Sequence, residues 1–213
     1  MICPINSYKH KLVLALRGLG VIFALGVACS EPAAAQDAAS VAKNVCAGCH
    51  GEDGNSVVPM FPKIAGLQET YIVKQLRDFQ AGRRKSDIMG PIVAALRPED
   101  FLPLATHFAG QKMKASETED KKLADFGKLV FFDGNEDTGL PACVGCHQAQ
   151  GAGHLIYPRI GGQHAIYITQ QLKNFTSGER SNDVSRFMRV VGKRMTEEEI
   201  DAVSAYLASL GTK

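Results

Sequence analysis

Cys46-Ala47-Gly48-Cys49-His50 and Cys143-Val144-Gly145-Cys146-His147 each set two thiols three residues apart and follow the second at once with an imidazole. Cysteines at that spacing lie on one face of a helical turn, so both sulfurs reach the same edge of a planar group. Such a pair can bond to the two vinyl substituents of a porphyrin, and the adjoining histidine is then carried under the ring to ligate iron. Each word reads C-x-x-C-H, the attachment site of a c-type haem, and two covalently bound haem c groups are expected. Structural zinc and a redox-active dithiol are the alternatives. Zinc ribbons space their pairs far more closely than the 97 residues seen here, and neither alternative needs a histidine after each pair. Only haem uses the whole word.

The residues that must position these motifs are themselves duplicated. Phe61-Pro62-Lys63-Ile64-Ala65-Gly66 lines up with Tyr157-Pro158-Arg159-Ile160-Gly161-Gly162, and Tyr71, Gln75, Leu76, Phe79 and Gly82 line up with Tyr167, Gln171, Leu172, Phe175 and Gly178. Ile72, Leu76 and Phe79 recur at helical spacing, as do Ile168, Leu172 and Phe175, and each helix is expected to stop at its glycine. A second helix closes each half. Thr196 with Glu199 forms a capping box ahead of an Ile200, Val203, Leu207, Leu210 stripe. Pro98, Glu99 and Asp100 precede Phe101, Leu104 and Phe108 in the earlier half. Helices are also expected before each motif, over 38–45 and 123–131. With no strand pattern, the class is all-α: two tandem modules, 36–113 and 117–213, joined by a linker at 114–116.

An electron-carrying haem is usually closed by a second axial ligand, often a methionine whose thioether raises the reduction potential. The repeat selects the pair. Met89 corresponds to Met188 at an offset of 99, each in a segment between two helices that could fold as a loop over the ring. Met60 aligns with Ile156 and Met195 with Leu96, so those positions ask for bulk rather than sulfur. Met113 falls in the linker region. His107 aligns with Tyr206, which suggests packing or surface, and neither His154 nor His164 has a histidine counterpart. The expected iron ligands are therefore His50 and Met89 in one module and His147 and Met188 in the other.

Residues 1–35 read as a secretory signal peptide: basic Lys9, Lys11 and Arg17, an apolar run from Gly18 to Ser30, then Ala33-Ala34-Ala35 before the cleavage point. The apolar run is shorter than the roughly 20 residues a membrane span needs. Export leaves four cysteines, all in the two motifs. Of 24 basic and 22 acidic residues the leader removes three and one, leaving 21 of each. A neutral exported chain without a basic cluster does not suit nucleic acid. A periplasmic location is expected, and loose membrane association is compatible with it.

Over 36–213 the chain resembles the cytochrome c4 family of two-haem class I cytochromes c. The resemblance rests on the paired C-x-x-C-H words, the repeated aromatic-Pro-basic-Ile segment, the Tyr-x-x-x-Gln-Leu-x-x-Phe helices and the matched methionines. It implies two cytochrome c domains about a pseudo-twofold axis with haem edges close together. It also implies that the Pro62 and Pro158 carbonyls accept hydrogen bonds from His50 and His147 Nδ1–H, orienting each imidazole. The implied role is an electron carrier without a small-molecule substrate. Its implied partners are redox proteins such as a haem–copper terminal oxidase and a quinol–cytochrome c reductase. One departure stands out: the stretch from Phe131 to Pro141 before Cys143 has no counterpart before Cys46. The rival role is the dihaem subunit of a sulfide- or thiosulfate-oxidising complex of the flavocytochrome type. No flavin fingerprint or separate catalytic constellation supports an enzyme acting alone.

Overall fold

The structure is a computed structural model that describes residues 37–116 and 120–211; the expected leader lies outside them. Helices and turns make up the fold. Among the described residues no strand occurs; isolated bridges pair Asn135 with Leu140 and His154 with Tyr157.

In the first lobe the Asp37 carboxylate accepts from Ala39 N–H and opens a helical stretch that runs unbroken to His50. It comprises α1 (Ala38–Val41), a wide π-type turn (Ala42–Cys46) and α2 (Ala47–His50). Wide turns of this kind interrupt helices where a side chain must be re-aimed, often at functional sites. α3 (Glu69–Gln80), α4 (Met89–Ala94), a short 3-10 turn (Pro98–Asp100) and α5 (Phe101–Ala109) follow. α3 lies against α4 and α5, and α1 against α5. Their shared core holds Val41, Ile72, Leu104 and Phe108.

The second lobe repeats the plan with α6 (Lys121–Asp133), α7 (Val144–His147), α8 (Ala165–Ser177), a 3-10 turn (Val184–Arg186), α9 (Phe187–Gly192) and α10 (Glu197–Ala208). Here α10 crosses α6 very closely. A Cβ on Gly127 would stand 1.9 Å from the Ala202 carbonyl oxygen, so only glycine allows that approach. Phe131, Ile168, Leu172, Val203 and Leu207 share the core. The expected capping box is present: Glu199 N–H donates to Thr196 Oγ1 at 3.1 Å and Thr196 N–H to Glu199 Oε2 at 2.7 Å. Each satisfies a donor the first helical turn cannot.

The segment joining the lobes is tied to both. The buried Lys63 ammonium donates to the Lys114 carbonyl at 2.7 Å and Ser116 Oγ at 2.8 Å, while Ser116 N–H donates to the Ala208 carbonyl at 2.8 Å. Two expectations need adjusting. The helix before Cys143 runs from Lys121 to Asp133, two residues longer at each end than its apolar pattern suggested. Met89 and Met188 stand in short helices rather than loops. Pro91 does not prevent the first of these, because proline is tolerated in a first helical turn, where its missing N–H has no intrahelical partner. No helix among the described residues is long and apolar enough to cross a membrane.

Candidate functional site

Each C-x-x-C-H word ends on a single helical turn, α2 or α7, which sets its two sulfurs on one side and buries its histidine. His50 and His147 are both 7% exposed. His50 Nδ1 lies 2.7 Å from the Pro62 carbonyl oxygen, and His147 Nδ1 lies 2.9 Å from that of Pro158. A carbonyl can only accept, so each Nδ1 carries the proton and each Nε2 keeps its lone pair. Burial pushes both imidazole pKa values down, and the proline hydrogen bonds oppose this less strongly. A neutral imidazole with a bare Nε2 is the metal-ligating form. Burial likewise pushes the Cys46 and Cys143 thiols up to about 11.

Glycine sets the proline segments in place. Gly54 (φ +74°) accepts from Ile64 and Ala65 N–H, and Gly151 (φ +58°) from Ile160 and Gly161 N–H. A Cβ at either would come within 3 Å of the backbone it binds. These two equivalent glycines let the chain after each proline fold back under the histidine.

Both motifs open into one cavity of about 1430 Å³. Its wall includes Cys46, Cys49 and His50 from one lobe and Cys143, Cys146 and His147 from the other, with Met89 and Met188 in the same wall. Ile72, Leu76 and Phe79 line it on one side, and Ile168, Leu172 and Phe175 on the other. Met60 and Met195 also reach it, as do their counterparts Ile156 and Leu96. His107, His154 and His164 do not line it. His154 is exposed; His164 is buried where its Nε2 meets the Ser56 carbonyl (2.9 Å) and its Nδ1 meets Ser116 Oγ (3.2 Å), a structural bridge between lobes.

Two arginines of the cavity wall escaped the sequence reading. Arg84 Nη2 donates to Tyr167 Oη (2.8 Å) and Gln171 Oε1 (3.0 Å), while Arg180 Nη2 donates to Tyr71 Oη (2.9 Å) and Nη1 to Gln171 Oε1 (2.8 Å). Each guanidinium therefore reaches a tyrosine of the opposite lobe, and each lies over a phenylalanine of its own, Phe79 or Phe175. The signal was available: both arginines fall at the 96-residue offset that pairs the tyrosines and glutamines. Burial disfavours the Arg84 charge, but Tyr167 and Tyr71 outweigh it and raise its pKa. Among the described residues neither arginine forms a salt bridge. Cationic groups whose hydrogen-bond partners include no carboxylate, lining a largely apolar cavity, suit a flat apolar ligand that carries carboxylates.

One difference breaks the symmetry. Asp78, 5% exposed, accepts from Lys74, Arg83 and, across the lobes, Asn182 Nδ2; the equivalent position in the other lobe is Asn174. Burial pushes its carboxyl pKa up, yet those donors prevail and hold it below the usual carboxylate range.

Comparison with known proteins agrees with this geometry. The cytochrome c family model matches twice, over residues 35–126 and 124–211. A cytochrome c4 of Thiocapsa roseopersicina is 44% identical over 79% of this chain and 88% of its own. The crystal structure of reduced recombinant cytochrome c4 from Pseudomonas stutzeri superposes with a TM-score of 0.76 at 38% identity, covering 82% of this chain and 99% of that one. A thiosulfate dehydrogenase electron acceptor of Thiomonas intermedia is 35% identical over 93% of this chain and 91% of its own.

Proposed function

This chain belongs to the cytochrome c family, as a dihaem cytochrome c4 that transfers electrons through two covalently bound haem c groups, and from that premise we propose which residues hold each haem and where the protein works. Cys46 and Cys49 anchor one haem and Cys143 and Cys146 the other. His50 with Met89, and His147 with Met188, would ligate the two irons, and the Pro62 and Pro158 carbonyls orient the imidazoles. The lobes are 36–113 and 117–213, joined by 114–116. The observation that carries this reading is the single cavity into which both motifs and both matched methionines open.

Haem c, when bound, supplies an iron that gains and loses one electron at a time. The protein's own residues do the rest. The proline carbonyls fix each histidine tautomer, so Nε2 needs no proton loss before it ligates. The apolar walls from α3 and α8 exclude water. Arg84 and Arg180 hold positive charge in that wall and suit the haem carboxylates. Residues of both lobes line the one cavity, which supports electron passage between lobes.

The protein acts in the periplasm of a respiratory chain, exported by residues 1–35 with cleavage after Ala35, and receives or delivers electrons by docking with redox proteins such as a quinol–cytochrome c reductase and a haem–copper terminal oxidase. A second reading, in which the electron source is a thiosulfate-oxidising enzyme, has specific support in relatives such as that of Thiomonas intermedia. Carbon monoxide tests the ligation. The reduced native protein is expected to bind little, because both irons are closed; rapid stoichiometric binding contradicts this. Stopped-flow reduction by a thiosulfate dehydrogenase and by a quinol–cytochrome c reductase separates the two readings.

A further inference from the structure

Each proline carbonyl that holds a histidine belongs to a peptide unit whose N–H is engaged by the other lobe. Pro62 O accepts from His50, and the N–H on the far side of that same peptide, Lys63 N–H, donates to Gln163 Oε1 of the second lobe at 2.9 Å. In the opposite sense, Pro158 O accepts from His147, and Arg159 N–H donates to Gln68 Oε1 of the first lobe at 2.9 Å. The glutamine amides are themselves fixed: Gln163 Nε2 donates to the Lys63 carbonyl at 2.7 Å, and Gln68 Nε2 to the Ala152 carbonyl at 3.0 Å. Gln163 is buried, as is Lys63, so this contact lies away from water.

An amide that donates at nitrogen becomes a better acceptor at oxygen, because the peptide resonance shifts charge toward the carbonyl. Linked hydrogen bonds polarise one another in this way, most where water is excluded. A stronger carbonyl acceptor draws the Nδ1 proton and makes the imidazole a more electron-rich iron ligand. An electron-rich ligand favours the ferric state and lowers the reduction potential.

We propose that Gln163 and Gln68 are positioning residues that tune, each through the proline peptide it binds, the histidine of the opposite lobe. Gln163 of the second lobe sets the His50 site, and Gln68 of the first sets the His147 site. The two glutamines are not equivalent in the repeat: Gln163 aligns with Leu67, and Gln68 with His164. The same contact is thus made twice from different register positions. The packing of one lobe on the other becomes an input to both potentials. This rests on the assignment of His50 and His147 as iron ligands.

The test is a spectroscopic redox titration of the haem-loaded wild type and of Gln163→Met and Gln68→Met, which keep side-chain length and remove the acceptor. Each potential is assigned to its lobe with Met89→Ala and Met188→Ala. Direct outer-shell partners typically alter metal affinity about 10–100-fold. One link further out, the expected change in the ferric-to-ferrous ratio is roughly three- to tenfold. Gln163→Met is expected to raise the potential of the His50 haem and leave the His147 haem near its starting value; Gln68→Met is expected to do the reverse. A shift confined to the haem of the mutated lobe, equal shifts in both, or no shift overturns the proposal. Should the methionine variants fail to assemble, Gln163→Glu and Gln68→Glu keep an oxygen before the N–H and add charge. They are expected to lower the opposite haem more than their own, and the converse overturns the proposal. A wild type lacking two histidine-ligated haems instead overturns the ligand assignment itself, which keeps the two failures apart.

Discussion

The two lobes share a plan but not its fastenings. In the first, the chain runs helically from Ala38 straight into Cys46, and Met89 follows a turn held by its own N–H donating to Ser86 Oγ at 3.1 Å. In the second, α6 ends at Asp133 and a loop carrying the Asn135–Leu140 bridge leads to Cys143. Met188 follows two residues in left-handed conformation, Ser185 (φ 51°) and Arg186 (φ 63°), with Arg189 Nε clasped by Asp183 Oδ1 at 2.7 Å. The first lobe has a buried carboxylate facing the second, Asp78, where the second has Asn174. The two lobes share what lines the common cavity: the cysteines, histidine, proline and apolar α3/α8 faces. The surroundings of the two methionines proposed as ligands diverge, so two like sites need not have like potentials.

The largest effect is expected from the methionines. Met89→Ala should lower the potential of one haem and Met188→Ala that of the other, each by a substantial part of the roughly 0.8 V that axial ligands span. A redox titration reads this directly, and a variant that moves neither potential removes that residue from the ligand set.

Next is the helix crossing peculiar to the second lobe. Gly127→Ala forces a methyl against the Ala202 carbonyl and should cost about 3 kcal/mol, at the upper end for overpacking. Thermal unfolding followed by haem absorption should then show the second lobe loosening first. A single transition at the wild-type temperature would mean the α6–α10 approach is not tight.

Asp78→Asn makes the lobes alike at that position and should cost about 1–2 kcal/mol. Its folded-state pKa is depressed, so the stabilisation is present above the unfolded value, about pH 4, and is lost as pH falls through the lower folded value. The difference in Tm between wild type and variant should accordingly be full at pH 6 and shrink below pH 4. A difference that grows on acidification contradicts the sign.

Smallest is Arg186→Gly. A left-handed non-glycine residue costs about 1–2 kcal/mol, and glycine returns roughly 0.5–1 of that through its freer unfolded chain. The net should be a gain below about 1 kcal/mol, a rise in Tm of about 2–4 °C at most. A fall in Tm would show that the arginine side chain, not its backbone, matters there.

How much of this the sequence carried depended on range. The haem words, the Thr196–Glu199 box and the Ile72/Leu76/Phe79 stripe are local, each encoded within a turn or two, and each is where its residues implied. The proline segments stand out in the repeat, the role of their carbonyls follows only from the resemblance, and the structure adds the glycines that make them fit. The crossed contacts were out of reach for a different reason. Gln68 and Gln163 are ordinary polar residues before a helix, and their use arises only when two lobes pack. Arg84 and Arg180 were more accessible, since they obey the repeat, but a recurring cation carries no ligand signature of its own. The wide turn at Ala42–Cys46 and the left-handed pair at Ser185–Arg186 leave no mark in composition, because no glycine or proline announces either.

The most direct measurement is an anaerobic optical redox titration of the purified protein, with haem quantified as its pyridine haemochrome. Two haems per chain are expected, low-spin and six-coordinate, titrating as two one-electron steps. One haem or none per chain, or a high-spin iron in either lobe, contradicts the assignment of a closed histidine–methionine site in each lobe.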